Sequence, residues 1–172
     1  MSNEQYAKFC SRKVKRIAKR YSLPEISDLN ILSYGGEKIY VNHVIFGKKY
    51  IYLITPIKLK GFVVGEENDE SWIHYNYSKK HAKYISNLNE LANKSISEFA
   101  SILGVNKDPF KSIMLIPNNC DFKIKGNKNQ LTNIVHYFSL KRKIKKLEKS
   151  NIDSLDQEQI YEHYKAIKET SK

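Results

Sequence analysis

Residues 36–65 read GEKIYVNHVIFGKKYIYLITPIKLKGFVVG, and their pattern decides the fold. Residues 38–46 are rich in β-branched side chains and alternate, the signature of a strand. Gly47-Lys48-Lys49 supplies a turn, and residues 50–57 (YIYLITPI) form a second run. Gly61 introduces a third, Phe62-Val63-Val64. Three such runs joined by short turns predict an antiparallel meander of two adjacent hairpins.

Upstream, residues 4–21 predict an amphipathic helix. Phe9, Cys10, Val14, Ile17, Ala18 and Tyr21 recur at helical spacing and are expected to face the core. Residues 26–32 alternate as a first strand, with Tyr34-Gly35-Gly36 as its turn. Downstream of the meander come an acidic loop (Glu66 to Glu70) and a short strand at residues 72–77. The Lys79–Lys83 cluster leads into a long helix with the stripe Tyr84/Ile85, Leu88, Leu91/Ala92, Ile96, Phe99/Ala100 and Leu103, stopped by Gly104. Ile113–Ile116 predicts a buried central strand, and Cys120–Ile124 another before a Gly126-Asn127 turn. A second long helix is predicted from Asn129, with Leu131, Ile134, Val135, Phe138, Leu140 and Ile144 inward, and a more polar one over residues 154–170. The order places the chain in the mixed α/β class, a central sheet flanked by helices. One domain spans residues 1–150, with residues 151–172 as a helical extension.

The chain carries a formal charge of +12 and a pI near 9.5, which points to a polyanionic partner. Only four of its 30 basic residues are arginine. A lysine excess spread evenly over the surface would say little, so clustering is the informative quantity. Two clusters stand out. Lys8, Arg12, Lys15, Arg16 and Lys19 fall on the outer side of the first helix, where no acid intervenes between Lys8 and Arg20. Lys141, Arg142 and Lys145 belong to the run KRKIKKLEK at residues 141–149. These eight side chains are the candidate phosphate contacts.

No apolar run approaches the roughly 20 residues a membrane helix needs, and the N-terminal segment lacks the apolar region of a signal peptide. A cytoplasmic location and no membrane partner are expected. Cys10 and Cys120 stand far apart without a CxxC or Cys/His cluster, which predicts two buried thiols and no zinc site. His43, next in sequence to Asn42, is expected to face the other way on a strand. His74, His81, His136 and His163 show no ligand spacing. Trp72 is expected to anchor the core, and Tyr40, Tyr50 and Tyr52 are candidates for stacking on unpaired bases.

The meander resembles the nuclease-related domain family, a branch of the restriction-endonuclease-like PD-(D/E)xK fold. Val41-Asn42-His43-Val44-Ile45-Phe46-Gly47 matches its first strand and Leu53-Ile54-Thr55-Pro56-Ile57 its second. Gly61, Gly65 and Trp72 match its glycines and tryptophan, and the likeness extends loosely over most of the chain. The departures fall on the chemistry. Asn42 stands where the family has Asp, Thr55 where it has Glu, and Ile57 where it has Lys. After Trp72 the family's Asn-Pro and Gln are reduced to Asn87-Leu88-Asn89-Glu90-Leu91, and Glu4 is the one match for an upstream glutamate.

Phosphodiester hydrolysis of that type needs anionic oxygens to hold Mg²⁺, which then acidifies a water. Asn42 and Thr55 are neutral and Ile57 stabilises no developing charge; Lys58 is one position off. The resemblance therefore implies a degenerate site with no metal, no cofactor and no catalytic residues. What it implies instead is a nucleic-acid-binding module with DNA favoured over RNA. Two other readings stand beside it: a metal-dependent nuclease using Glu37 or Glu66 as substitute acids, and an assembly module meeting an acidic protein or a second copy of itself.

Overall fold

A computed structural model of the chain describes residues 2–32, 38–78, 81–126 and 133–170. Helix α1 (Asn3–Arg20) opens with a capping box. Ser2 Oγ accepts the Gln5 N–H, and Gln5 Oε1 accepts the Ser2 N–H, satisfying two donors that a helix start otherwise leaves free. Strands β1 (Glu25–Leu32), β2 (Lys38–Phe46) and β3 (Ile51–Pro56) follow as an antiparallel meander. Its turn at Gly47 is tight: a Cβ there would lie 2.7 Å from the Tyr50 carbonyl oxygen and 2.7 Å from the Tyr52 ring.

The chain then leaves that sheet. Strands β4 (Gly61–Glu66), β5 (Ser71–Tyr75) and β6 (Ala82–Ser86) build a second sheet, completed by β8 (Cys120–Lys125), in the order β6-β5-β4-β8. The expected second hairpin is thus corrected: β4 pairs with β5 and β8, not with β3. Gly61 explains the departure. At φ +104°, with a Cβ position blocked by the Tyr75 carbonyl, it takes a backbone conformation that other residues avoid.

Helix α2 (Leu88–Leu103) crosses back, capped by Asn87 and ended by Gly104 in the left-handed conformation. Tyr84 and Ile85, assigned to this helix on their apolar spacing, lie in strand β6 instead, and Tyr84 is among the most exposed aromatics. Strand β7 (Phe110–Ile116) then adds parallel to β3, and the three-residue β9 (Ile134–His136) adds parallel to β7. The first sheet therefore runs β1-β2-β3-β7-β9. The long helix expected from Asn129 is also corrected. Its first residues, with Glu37, the Tyr34-Gly35-Gly36 turn, Lys79, Lys80 and Asn127, lie outside the described residues; the rest is β9, a 3-10 turn at Tyr137–Ser139, and a short α3 (Leu140–Glu148). Helix α4 (Gln157–Thr170) closes the chain.

The two faces of the five-stranded sheet carry different helices. One face presents Ile45, Tyr52, Ile54, Ile113 and Leu115 to Tyr6, Cys10, Val14 and Ile17 of α1 and to Leu140 and Ile144 of α3. The other presents Val44, Phe46, Ile51 and Leu53 to Phe99 and Ala100 of α2 and Ile167 of α4. Ile167 is fully buried, an anchor that contributes about 2 kcal/mol to docking the last helix. The second sheet rests its inner side, including Val63, Trp72 and Cys120, on Leu88 and Ala92 of α2 and on Met114 and Ile116 of β7.

One irregularity positions the polar groups. Ile26 and Leu29 of β1 pack on the α2–α4 face, as do Val41 and Val44 of β2, so both strands lose the two-residue alternation at facing points. The break is at Asp28, which has φ +53°, a conformation that a short polar side chain tolerates. Asn42 and His43, neighbours in sequence, consequently line the same cleft beneath α1. The expectation that His43 faces away from Asn42 is overturned by this break.

Candidate nucleic-acid interface

The charge is sided. Helices α1 and α3 together carry twelve basic residues against two acidic ones. Helices α2 and α4, on the opposite face, carry three basic against five acidic. The positive charge of the helices is therefore concentrated on one face, which uniform enrichment would not produce.

Arg12, Lys15, Arg16 and Lys19 of α1 are exposed, as are Arg142 and Lys145 of α3, with Lys141 half-buried. None of these seven makes an ion pair among the described residues. Lys8 differs: its Nζ lies 2.7 Å from Glu4 Oε1, so part of its charge is met within the helix. Both α1 and α3 pack on the same sheet face, which brings the two basic clusters to one side of the molecule.

Lys143 and Lys146 of the same run, outside the eight candidate contacts, belong here too, with Lys111 of β7. A groove of about 810 Å³ runs along α3 between Arg142, Lys143, Lys145, Lys146 and Lys149. A second hollow of about 270 Å³ lies between α3 and β9, lined by His136, Ser139, Arg142, Lys143 and Lys146. The Lys143 ammonium is held below its ordinary pKa, first by burial and then by the charges of Lys146 and Lys111. Three cations converge there on ground that an anion would neutralise. The i, i+3 spacing of Lys143 and Lys146 was readable in the sequence; the approach of Lys111 from β7 was not.

Aromatic rings interrupt this surface. Phe9 of α1 stacks on Tyr137, with centroids 4.6 Å apart and planes 24° from parallel. Phe138 meets Tyr137 edge to face at 5.6 Å. Lys13 Nζ sits 4.1 Å from the Tyr137 ring centre and 5.5 Å from that of Phe138, and donates to the Tyr137 carbonyl at 2.5 Å. Phe9 and Phe138, both expected to face inward, are 45% and 76% exposed. Tyr50 and Tyr52, candidates for stacking on bases, are buried, and Trp72 is buried as the core anchor it was expected to be. Of the meander tyrosines only Tyr40 is open to solvent.

The positions matched to the nuclease motif are not brought together. Asn42 lines a cleft of about 460 Å³ with Glu4, Lys8, Ser11, Arg12, Asp28, Tyr40 and His43. Its Nδ2 donates to Tyr40 Oη at 3.1 Å, and that hydroxyl donates to Asp28 Oδ1 at 2.8 Å. Burial and then the Asp28 carboxylate push the Tyr40 phenol up to about 12. Thr55 lies beside Met114 in the β3–β7 ladder, and Ile57 packs against the cluster that contains Met114. Those two therefore belong to the opposite face of the sheet.

Next to His43, Glu25 Oε1 accepts from Ser27 Oγ at 2.6 Å and lies 2.7 Å from His43 Nδ1. Burial pushes this carboxyl up, but hydrogen bonds from His43 and Ser27, with the charges of His43 and Lys15, bring it below its ordinary value. Glu66 sits at the end of the second sheet, 3.9 Å from Lys125 Nζ. Asn87 accepts from the Asn89 and Glu90 N–H groups and donates to the Glu67 and Asp69 carbonyls, tying the acidic loop to the start of α2. Among the described residues no three His, Cys, Asp or Glu side chains gather closely enough to hold a metal ion, and no helix is long and apolar enough to cross a membrane. No family model, curated protein or solved structure matches the chain.

Proposed function

We propose that this protein is a non-catalytic nucleic-acid-binding module, gripping phosphates through α1 and α3 on a nuclease-like core. The observation that carries the reading is the sidedness of charge, twelve basic against two acidic residues on α1 and α3 and the reverse tendency on α2 and α4. A polyanion is the ligand that such a face attracts, and it releases counterions on binding. Unpaired cations at Arg12, Arg16, Lys141 and Arg142, with the crowded Lys111–Lys143–Lys146 group, supply the contacts.

The restriction-endonuclease-like ancestry is supported by element order. A helix precedes an antiparallel meander, a second helix crosses over, and a later strand adds parallel to the meander's last strand. The separation of Asn42 from Thr55 and Ile57 by the sheet supports a role in binding over hydrolysis at those positions.

The test is a fluorescence-anisotropy titration of labelled DNA and RNA oligonucleotides over a series of KCl concentrations. The expected result is affinity that falls linearly in log–log form with salt and depends little on sequence. A flat isotherm at low salt for every polymer would remove the proposal. Supercoiled plasmid incubated with Mg²⁺ or Mn²⁺ is expected to stay intact; cleavage that disappears in Glu66→Gln would replace this reading with an enzymatic one.

A further inference from the structure

We propose that Phe138, with Phe9 and Tyr137, is a base-stacking platform, and that the polymer taken is single-stranded. This rests on the phosphate-binding reading above and specifies its substrate class. Phe138 is a large apolar side chain with three quarters of its surface in solvent, a placement that folding alone does not reward. Its backbone is nonetheless fixed, since its N–H donates to Asn118 Oδ1 at 3.0 Å. The ring is held out by structure.

Its surroundings define the chemistry of the occupant. Phe9 and Tyr137 are already stacked face to face, and Lys13 is fixed over the Tyr137 and Phe138 rings. Arg16 acts on the Tyr137 phenol from α1, while Lys141 and Arg142 lie in the first turn of α3, directly after the 3-10 turn that carries Phe138. The platform is therefore aromatic at its centre and cationic at its rim. An unpaired nucleotide is complementary to both parts, offering a π-face to the rings and a phosphate to the rim. Duplex bases are stacked on each other and offer no free face, so only the rim would engage them.

The experiment compares full-length wild type with Phe138→Ala, Phe138→Leu and Phe138→Tyr, using a labelled oligo-dT strand and a blunt-ended mixed-sequence duplex of equal phosphate number. Wild type is expected to prefer the single strand. Phe138→Ala and Phe138→Leu are expected to weaken single-strand binding roughly 5- to 100-fold, while duplex affinity and the salt slope stay unchanged. Phe138→Tyr keeps the π-face and is expected to retain affinity. Because Phe138 is exposed, thermal melts of all variants should coincide with wild type.

Unaltered single-strand binding in Phe138→Ala, or equal losses on both polymers, overturns the platform but leaves phosphate binding standing. Wild type that binds neither polymer overturns the phosphate reading itself. Loss of binding to anionic phosphatidylserine vesicles in Phe138→Ala, with oligo-dT binding intact, would assign the patch to a membrane surface and also overturn the platform.

Discussion

Tyr52 Oη donates a hydrogen bond to Glu148 Oε1 at 2.5 Å, joining the middle of the sheet to the last turn of α3. The other carboxylate oxygen accepts the Lys48 N–H at 2.8 Å, so one side chain fastens the basic helix to the β2–β3 turn. Tyr52 is fully buried. Burial, and then the neighbouring carboxylate, push its phenol well above the ordinary tyrosine range. Glu148 is the only acid of α3, and its charge is directed at neutral donors while every lysine of the helix is left for other partners.

Glu148→Ala is accordingly expected to destabilise the fold by about 1–3 kcal/mol, the cost of stranding a buried hydroxyl. Glu148→Gln keeps an acceptor in place and should cost less. Urea denaturation of the two variants checks the order. Equal midpoints for Glu148→Ala and wild type would show that the bond contributes nothing to stability.

A second expectation concerns acid. The folded-state pKa of Glu25 is depressed, so its carboxylate stabilises the fold above the unfolded-state pKa. That contribution is lost as pH falls through the ordinary value of 4.5 and on through the lower, folded one. Glu25→Gln should therefore be less stable than wild type at neutral pH and should lose less on acidification. Denaturant midpoints measured at neutral pH and near pH 4 test this. A gap between the two proteins that widens toward acid would have the wrong sign.

How far the sequence revealed these features depends on whether they are local. The α1 face was readable because apolar and basic residues segregate at helical spacing within one element. Strand β6 was not. Ile85 prolongs the stripe of α2, and a short apolar run cannot be told from helix by period alone. Asn87, a cap residue at the true start, was the signal to use. Phe138 was misplaced because a 3-10 turn precedes α3, so the helical phase assumed for residues 131–144 does not hold. The shared cleft of Asn42 and His43 depends on one positive φ at Asp28, which no pattern in the flanking residues announces. The Lys111–Lys143–Lys146 group joins a strand to a helix, and only tertiary structure brings them together.

The cysteines provide a third expectation, on dynamics. Burial pushes the Cys10 thiol up to about 11 and the Cys120 thiol up to about 12, and both side chains are fully buried. The thiolate is the reacting species, so neither should be alkylated at neutral pH while the chain is folded, and both should react in urea. Mass spectrometry after a timed iodoacetamide pulse distinguishes the states. Rapid native labelling at Cys10 alone would mean that α1 lifts from the sheet, and the α1 surface could not then be treated as rigid.

The last expectation separates a binding face from a merely basic protein. Each phosphate contact removed should lower the log–log salt slope by about 0.9 for duplex DNA and about 0.7 for a single strand. Arg12→Glu with Arg16→Glu on α1, and Lys141→Glu with Arg142→Glu on α3, each change the net charge by the same amount. So does the control pair Lys94→Glu with Lys165→Glu, drawn from α2 and α4 on the opposite face. If net charge alone governed affinity, all three variants would weaken binding equally. A directed face requires the α1 and α3 variants to lose affinity and slope together while the control keeps most of both. Anisotropy titrations at three salt concentrations read both quantities from the same samples, and equal losses across the three pairs would sink the assignment of the face.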